Sequence, residues 1–192
     1  YNGVSRRNVA RLYMDGTLDA SLNVGSGGST GNSMAIQPDG KIMVGGMFSS
    51  FNGVTRKTIV RLNGDGSVDT DFSPSYGANS NIYAISVQAD GKILIAGYFT
   101  SFNAVTQNYI SRLNGDGSLD ETFYSGSGAN NYINTMLILV NGNVFIGGNF
   151  TAYNGVAANR VALIHTGDFD QDDIENAADM FPVDPAESVD TD

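Results

Sequence analysis

Short runs of apolar residues, many of them alternating with polar ones, recur along most of this chain. Within residues 51–101 the runs fall at 58–62, 67–72, 82–88 and 92–99. Runs of this length that are rich in β-branched and aromatic residues predict β-strands. Asn-Gly, Asp-Gly and Gly/Ser/Asn segments separate the runs and predict tight turns. Each such stretch is therefore predicted to form four short strands.

The strand pattern repeats with a period of 50 or 51 residues. The copies are 1–50, 51–101, 102–152 and a partial copy at 153–167. Apolar positions keep their register between copies, as Met34, Ile85 and Met136 illustrate. No 3.6-residue period appears in 1–167, so helices are not favoured there. A repeat of this length indicates an architecture in which each unit covers the next.

The most apolar strand of each copy carries apolar residues on both faces. Met43, Leu94 and Phe145 occupy the face opposite the main apolar register. A strand that is apolar on both faces lies between two other layers. Four antiparallel strands in about 50 residues, covered on both sides, predict an all-β protein built of β-propeller blades. A β-solenoid is the alternative architecture.

Two recurring motifs resemble those of bacterial delta-60 repeats. They are GKIMVGGMF, GKILIAGYF and GNVFIGGNF, and RLYMDGTLD, RLNGDGSVD and RLNGDGSLD. The resemblance covers nearly all of residues 1–167. It implies a β-propeller carried on a large secreted or surface protein, and it brings no catalytic activity with it.

The order of the strands predicts an open propeller segment of about three blades. If the most apolar strand is the second of its blade, the chain opens with the third and fourth strands of one blade. Two full blades follow, and the last blade has three strands that end near Ile164. Closed propellers have about four to eight blades. We therefore expect either part of a larger propeller or a chain that associates with itself through its open edges.

Charge divides the chain into two parts. The net charge is −10. Residues 1–167 hold ten acids and ten Lys or Arg, whereas 168–192 hold ten acids and neither base. Because no basic face is present to displace counterions, nucleic acid is not an expected partner. No apolar run approaches the roughly 20 residues of a membrane helix, so membrane insertion is not expected. The absence of cysteine excludes disulfides and thiolate metal sites.

The acidic segment 168–192 has the spacing of a calcium-binding loop. Oxygen-bearing side chains stand at positions 1, 3, 5, 9 and 12 of a 12-residue stretch, and position 7 offers a backbone carbonyl. The expected ligands are Asp168, Asp170, Asp172, Ile174 through its carbonyl, Asn176 and Asp179. Ca²⁺ prefers six to eight oxygen ligands, and empty carboxylates at this spacing repel one another. The alternative is a disordered acidic tail.

The same segment resembles a thrombospondin type 3 repeat, which is a calcium-dependent linker. The motif FPVDPAESVDTD after the loop strengthens the resemblance. The resemblance assigns the five side-chain ligands to the same positions. Asp173 stands where Gly is usual and Asn176 where Asp is usual. Asp190 and Asp192 resemble the start of a second, truncated loop.

An arginine and an aspartate recur together in the first three copies. They are Arg11 with Asp19, Arg61 with Asp69, and Arg112 with Asp120. In the fourth copy Leu163 replaces the arginine and the aspartate is also lost. This joint presence predicts an ion pair within each blade. A ring of ligand-binding arginines is the alternative.

Three further features have a structural and a functional interpretation. The Asn-Gly-Asp-Gly segment at 63–66 predicts a hairpin turn, with a calcium loop as the alternative. His165 is the only histidine and is expected at the surface. The aromatic residues that open each copy are expected to pack under turns, although they could line a sugar-binding rim. These aromatic residues are Tyr1, Phe51, Phe102 and Tyr153.

We expect a non-enzymatic scaffold outside the cell or on a bacterial surface. Its role would be display, adhesion or spacing within a filament, with a protein or glycan partner and a calcium-stabilised linker. A lectin-like carbohydrate-binding propeller is the alternative. A glycan-cleaving propeller would need paired carboxylates about 5 to 9.5 Å apart. The acids here instead occupy repeated turn positions, which favours a structural role.

Overall fold

The computed structural model describes residues 3–6 and 8–165, and every regular element in these residues is a β-strand. In chain order the strands are β1 Gly31–Ile36, β2 Ile42–Gly46, β3 Ser50–Phe51, β4 Val54–Thr55, β5 Ile59–Leu62, β6 Ile82–Val87, β7 Ile93–Gly97, β8 Ser101–Phe102, β9 Val105–Thr106, β10 Ile110–Leu113, β11 Ile133–Ile138, β12 Val144–Gly148, β13 Ala152–Tyr153, β14 Val156–Ala157 and β15 Val161–Ile164. None of the described residues belongs to a helix that could cross a membrane.

The longer strands form three antiparallel sheets of identical topology. Blade 1 has the strand order β1-β2-β5, blade 2 has β6-β7-β10, and blade 3 has β11-β12-β15. The most apolar strand is central in each sheet, as its two apolar faces predict. A segment at residues 8–24 precedes blade 1, and its Leu12 pairs with Leu18. The observed order therefore agrees with the predicted start inside one blade, followed by three more.

The predicted fourth strand of each unit is shorter than expected. Residues 67–72 contribute one bridge, between Leu62 and Val68, and blade 2 repeats it between Leu113 and Leu119. The strand ends because the Asp69 carboxylate accepts a hydrogen bond from the backbone amide of Asp71 at 3.0 Å. This local bond turns the chain away from the sheet.

A small hairpin that the sequence did not predict connects the central and third strands of each blade. Strand β3 pairs with β4, β8 with β9, and β13 with β14. In the first hairpin Asn52 and Gly53 both have positive φ, at 47° and 75°. Two such residues suit the type I′ turn, whose twist matches that of the flanking strands. The Asn-Gly signal was correct, but the two-residue strands on either side are too short for a periodicity to reveal.

The two ends of every blade differ in structure. The turn end holds the Asp-Gly hairpins and the Asn-Gly-Asp-Gly turns. The bulge end holds the small hairpins and a register shift in the first strand, as between Ile82 and Ala84. One residue at this end is left-handed in all four copies, at Asn8, Thr58, Tyr109 and Arg160. Bulges of this kind redirect side chains at the rim of a sheet.

Apolar packing between consecutive blades forms the core. Met43 and Ile59 of blade 1 pack in one cluster with Ile85, Ile93 and Ile95 of blade 2. Leu94 of blade 2 belongs instead to the cluster that contains blade 3. Alternate residues of one strand therefore enter two different interfaces, which explains why the central strands are apolar on both faces.

Two adjacent small residues at the end of each central strand have different roles. A Cβ atom on Gly97 would lie far inside van der Waals contact of the Asn81 carbonyl oxygen. A Cβ atom on Gly147 would lie 3.1 Å from the tip of the Thr135 side chain. Ala96 already occupies the position in blade 2 that Gly147 occupies in blade 3. In blades 2 and 3 only the second residue must therefore be glycine, whereas in blade 1 a Cβ atom on Gly45 would also lie 2.6 Å from Ile85 Cδ1.

We predict that Gly97→Ala destabilises the protein by about 1–3 kcal/mol, because the added methyl group meets backbone rather than a movable side chain. Gly147→Ala is the matched control and should have a much smaller effect. Urea unfolding followed by circular dichroism measures both free energies. Equal changes for the two variants would contradict this assignment.

Candidate functional site

The predicted arginine–aspartate pairs are present in the structure. Arg61 Nε lies 2.7 Å from Asp69 Oδ2, and Arg112 Nε lies 2.6 Å from Asp120 Oδ2. Arg11 Nε lies 2.7 Å from Asp19 Oδ2 in the segment before blade 1. The eight-residue spacing brings the groups together because the aspartate amide bonds the arginine carbonyl across the turn. The prediction of an ion pair within each unit is confirmed.

The arginine also reaches the neighbouring blade. Arg61 Nη1 donates a hydrogen bond to the carbonyl oxygen of Gly115, in the turn of blade 2. Arg11 Nη1 likewise donates to Gly64 at 2.9 Å. The Arg61 guanidinium lies 5.2 Å from the centre of the Phe72 ring, and its side chain is only 8% exposed. The guanidinium is thus committed to structural contacts, which disfavours the alternative of a ligand-binding ring.

Each arginine–aspartate pair is called an arginine centre, and a lysine that was not predicted joins the centres of blades 1 and 2. Lys41 Nζ lies 2.8 Å from Asp69 Oδ2, and Lys92 Nζ lies 2.7 Å from Asp120 Oδ2. Each lysine follows the Asp-Gly hairpin of its blade. The available signal was the fourth copy, in which Asn143 replaces this lysine while Leu163 replaces the arginine. All three charged positions therefore change together.

These contacts keep the aspartates ionised. Burial by itself would raise the pKa of Asp69, but hydrogen bonds from Lys41, the Asp71 amide and Arg61 outweigh it and lower the pKa to about 2. At Asp120 burial is likewise outweighed by hydrogen bonds from Lys92 and Thr122, and the pKa is lowered. A permanently charged carboxylate suits a structural ion pair, whereas a general acid needs a raised pKa.

The Asn-Gly-Asp-Gly segments are hairpin turns. Asp65 Oδ1 accepts hydrogen bonds from the Ser67 amide at 2.9 Å and from the Ser67 hydroxyl at 2.7 Å. The same bonds lower the pKa of Asp65. Gly66 has φ of 92°, a conformation that favours glycine. Within the described residues no group of three His, Asp or Glu side chains could hold a metal ion. The structural interpretation of these segments is therefore favoured over the calcium loop.

The remaining candidate residues in the repeats are explained by packing. Phe51, Phe102 and Tyr153 are buried, so the expectation of aromatic packing under turns is confirmed and these rings do not form an exposed rim. Tyr1 lies outside the described residues. His165 is exposed, as predicted, and its Nδ1 lies 3.2 Å from Asn143 Nδ2.

A group of tyrosines at the bulge end was not predicted. The tyrosine cluster consists of Tyr83, Tyr98, Tyr109 and Tyr132. The ring centres of Tyr98 and Tyr132 are 5.5 Å apart, those of Tyr83 and Tyr132 are 6.2 Å apart, and those of Tyr98 and Tyr109 are 6.4 Å apart. A usable signal was present, because the other copies have no aromatic residue at these four positions.

The predicted calcium ligands lie outside the described residues. These ligands are Asp168, Asp170, Asp172, Ile174, Asn176 and Asp179. The calcium site therefore stays a prediction from the sequence.

We predict that Arg61→Ala destabilises the protein by about 3–5 kcal/mol, because it leaves a buried aspartate with one cation fewer and removes a bond between two blades. Arg11→Ala is the matched control, since the Arg11 side chain is 37% exposed. Thermal and urea unfolding of both variants test this expectation. A loss for Arg61→Ala no larger than that for Arg11→Ala would refute the structural role.

Comparison with known proteins agrees with this architecture. The model of a family described as "Domain of unknown function (DUF5122) beta-propeller" matches residues 1–22, 37–72 and 88–123. No curated protein matches the chain.

Two solved structures are similar to the chain. One is virginiamycin B lyase from Staphylococcus aureus, with 14% identity and a TM-score of 0.39 over 72% of this chain and 43% of that protein. The other is a protein of unknown function from Bacteroides caccae, with 18% identity and a TM-score of 0.43 over 82% of this chain and 53% of that protein. The chain thus spans about half the length of these structures. The family match covers slightly less than half of the chain, and together with the repeated three-stranded blades it supports a β-propeller repeat protein.

Proposed function

We propose that this protein is a non-enzymatic repeat scaffold outside the cell or on a bacterial surface, and that it associates with itself through the outer faces of its first and last blades. One observation carries the proposal. Positions that are buried or half-buried at the internal blade junctions are exposed on these two faces.

The outer face of blade 3 is apolar and exposed. Phe145 is 40% exposed, although its equivalents Met43 and Leu94 are completely buried. Val161 is exposed as well, whereas its equivalent Ile59 is buried against blade 2. Leu163, which replaces the paired arginine, is 39% exposed on the same strand as Val161. This face therefore presents the apolar residues that elsewhere contact the next blade.

The outer face of blade 1 carries the complementary positions. Met34 and Ile36 are exposed there, while their equivalents Ile85 and Val87 pack in the core between blades 1 and 2. A groove of about 340 Å³ opens on this face and includes Leu22 among its lining residues. Exposed apolar patches of this kind on a soluble protein mark sites of association.

A second copy of this chain is the occupant that fits both faces. At each internal junction, one blade contacts the blade that follows it in the chain. The outer face of blade 3 is equivalent to the face that contacts the following blade, and the outer face of blade 1 is equivalent to the face that contacts the preceding blade. Val9 of the segment at 8–24 already packs with Ile42 and Val44, the equivalents of Ile93 and Ile95. Pairing the two faces would therefore add the part of the junction that Met43 makes with Ile85, now between Phe145 and Met34. Such a contact joins two different surfaces, so it builds a closed ring or an open series of copies. Either product suits a display or spacing role.

The charges of the described blades support a structural role over catalysis. Each aspartate of the arginine centres has a pKa below its usual range, because cations and hydroxyl or amide donors surround it. A glycan-cleaving mechanism instead requires one carboxyl group with a raised pKa. In blades 1 and 2 the carboxylates of Asp69 and Asp120 are also buried, and each forms ion pairs with one arginine and one lysine.

The acidic segment adds calcium dependence to the scaffold. Its oxygen spacing and its resemblance to a thrombospondin type 3 repeat support Ca²⁺ binding by Asp168, Asp170, Asp172, Asn176 and Asp179, with the Ile174 carbonyl. Weak loops of this kind bind calcium at about 10⁻⁴ to 10⁻³ M, which matches calcium levels outside cells. Binding would neutralise the mutual repulsion of the carboxylates and stiffen the linker.

We predict that the protein self-associates as its concentration rises and that Phe145→Asp weakens this association at least about tenfold, because a charge would be placed in an apolar contact. Sedimentation velocity over a range of concentrations measures the effect. Val105→Asp is the matched control, since Val105 is equally exposed but lies on a small hairpin away from both outer faces. A monomer at every concentration, or equal behaviour of the two variants, would argue against the proposed contact.

We predict that the acidic segment binds at least one Ca²⁺, with a dissociation constant of about 10⁻⁴ to 10⁻³ M. Titration calorimetry detects the binding, and limited proteolysis with calcium or chelator detects ordering of the linker. Asp170→Ala/Asp172→Ala should abolish both signals and leave blade stability unchanged. The absence of calcium heat at millimolar concentration, together with identical cleavage after Asp168 in both conditions, would rule the site out.

A further inference from the structure

The tyrosine cluster is a local departure from the repeat. Blades 1 and 3 have Asn32 and Asn134 where blade 2 has Tyr83, and Met47 and Asn149 where blade 2 has Tyr98. The other copies have Asn8, Thr58 and Arg160 in place of Tyr109, and Thr30 and Asn81 in place of Tyr132. The blade fold forms without an aromatic residue at any of these positions. The four tyrosines therefore serve something other than the blade fold.

The backbone of the bulge end directs these rings to one place. Tyr83 sits in the register shift of β6, where a bulge redirects the side chain. Tyr109 has φ of 70° and immediately precedes β10. Tyr98 follows β7, and its ring contacts both Tyr109 and Tyr132. Tyr98 is 51% exposed. The rings thus meet edge-on or tilted, with Tyr98 open to solvent and Tyr83, Tyr109 and Tyr132 half-buried.

Hydrogen-bonding groups border the rings. Asn149 Nδ2 donates a hydrogen bond to the Tyr132 hydroxyl, and Arg160 Nη1 donates to Asn149 Oδ1 at 3.2 Å. On the other side, Tyr109 lines a groove of about 390 Å³ together with Asn108 and Asn130. Amide groups and one guanidinium therefore border the tyrosine cluster at the bulge end of blades 2 and 3.

Charge separates the two ends of the blades. The cations Arg6, Arg56, Lys57 and Arg160 lie at the bulge end, just before the third strand of their units. The ten acids of residues 1–167 lie in the turns of the opposite end or directly after them. An anionic ligand therefore meets less repulsion from the blades at the end that carries the tyrosines than at the other end.

We propose that the tyrosine cluster binds a polysaccharide that carries carboxylate groups. The apolar face of a sugar ring packs on Tyr98, as aromatic side chains combine a large apolar surface with a polar tip. Sugar hydroxyls bond the amides of Asn108 and the Tyr132 hydroxyl, and a carboxylate pairs with the Arg160 guanidinium. This site is distinct from the outer blade faces, so it operates whether or not the protein self-associates.

A single-stranded nucleic acid also combines anions with stackable rings, but the surface favours a sugar polymer. Its cations are few, whereas nucleic-acid grooves are lined with many. The rings of the cluster contact one another at an angle, as the interplanar angle of 68° between Tyr98 and Tyr132 shows. That arrangement leaves no parallel slots for successive bases. An oligonucleotide is therefore included as a competing probe.

The test uses the full chain with three probes, namely a hexamer of galacturonic acid, a neutral hexamer of glucose and a hexamer of deoxythymidine. Because the chain lacks tryptophan, tyrosine fluorescence reports on binding directly. Calorimetry gives the affinities. The galacturonic acid hexamer should bind, and Tyr98→Asn should weaken its binding about tenfold, the loss expected when one aromatic contact is removed. Blade 3 already holds asparagine at this position, so the variant should fold normally.

Two further variants separate the parts of the site. Arg160→Asn, which copies Asn8 of the first unit, should reduce the preference for the acidic over the neutral hexamer. Tyr124→Ser is the matched control, because Tyr124 is 54% exposed but lies at the turn end. It should bind as the unmodified protein does. Failure of the galacturonic acid hexamer to bind at millimolar concentration would overturn the proposal. Equal binding by Tyr98→Asn and Tyr124→Ser, or stronger binding of either other probe, would also overturn it.

Discussion

Face-to-face apolar packing of consecutive blades is the interaction on which this structure depends. A three-stranded sheet cannot bury both of its faces by itself, and the central strand of every unit is apolar on both. Leu94 enters the interface with blade 3 while its neighbours Ile93 and Ile95 enter the interface with blade 1. A blade therefore buries all of its apolar residues only between two neighbours, and the outer faces of blades 1 and 3 keep apolar residues exposed.

The arginine centres determine how one blade is placed on the next. Arg61 bonds the aspartate of its own unit and a turn carbonyl of the following blade, and Lys41 adds a second cation to the same carboxylate. An apolar face alone permits sliding, because dispersion and burial have little direction. The directional bonds at the turn end fix the alignment. Blade 3 has lost both cations of this centre, and there the apolar Leu163 is exposed instead.

The two ends of the blades have different roles. The turn end is structural, whereas the side chains of the bulge end vary from copy to copy. At the turn end of blades 1 and 2 the same charged residues recur with the same ion pairs, and their aspartates are held ionised. At the bulge end the backbone recurs, with the same left-handed residue and register shift, while the side chains differ from copy to copy. A constant frame with variable side chains is how repeat proteins acquire binding surfaces. The tyrosine cluster has this character.

The sequence by itself determined the strands, their copy-to-copy register, the hairpin turns and the pairing of Arg61 with Asp69. These features depend on local periodicity, on turn chemistry or on partners eight residues apart, so each is visible within one repeat. It also determined which positions depart from the repeat, including Leu163 and Tyr98. The proposed calcium ligands at 168–179 likewise come from sequence spacing.

Only the tertiary structure decided which distant residues meet. Lys41 approaches Asp69, which lies 28 positions further along the chain, through the hairpin of its blade, and Arg61 reaches Gly115 because blade 2 packs on blade 1. The predicted fourth strand of blade 1 is reduced to one bridge, because the Asp69 carboxylate accepts a hydrogen bond from the Asp71 amide and this bond turns the chain away from the sheet. The tyrosines converge from two blades, since the stacking of blades places the start of β11 beside the end of β7. Contacts between repeats depend on how the blades stack, and no pattern within a single repeat encodes that geometry.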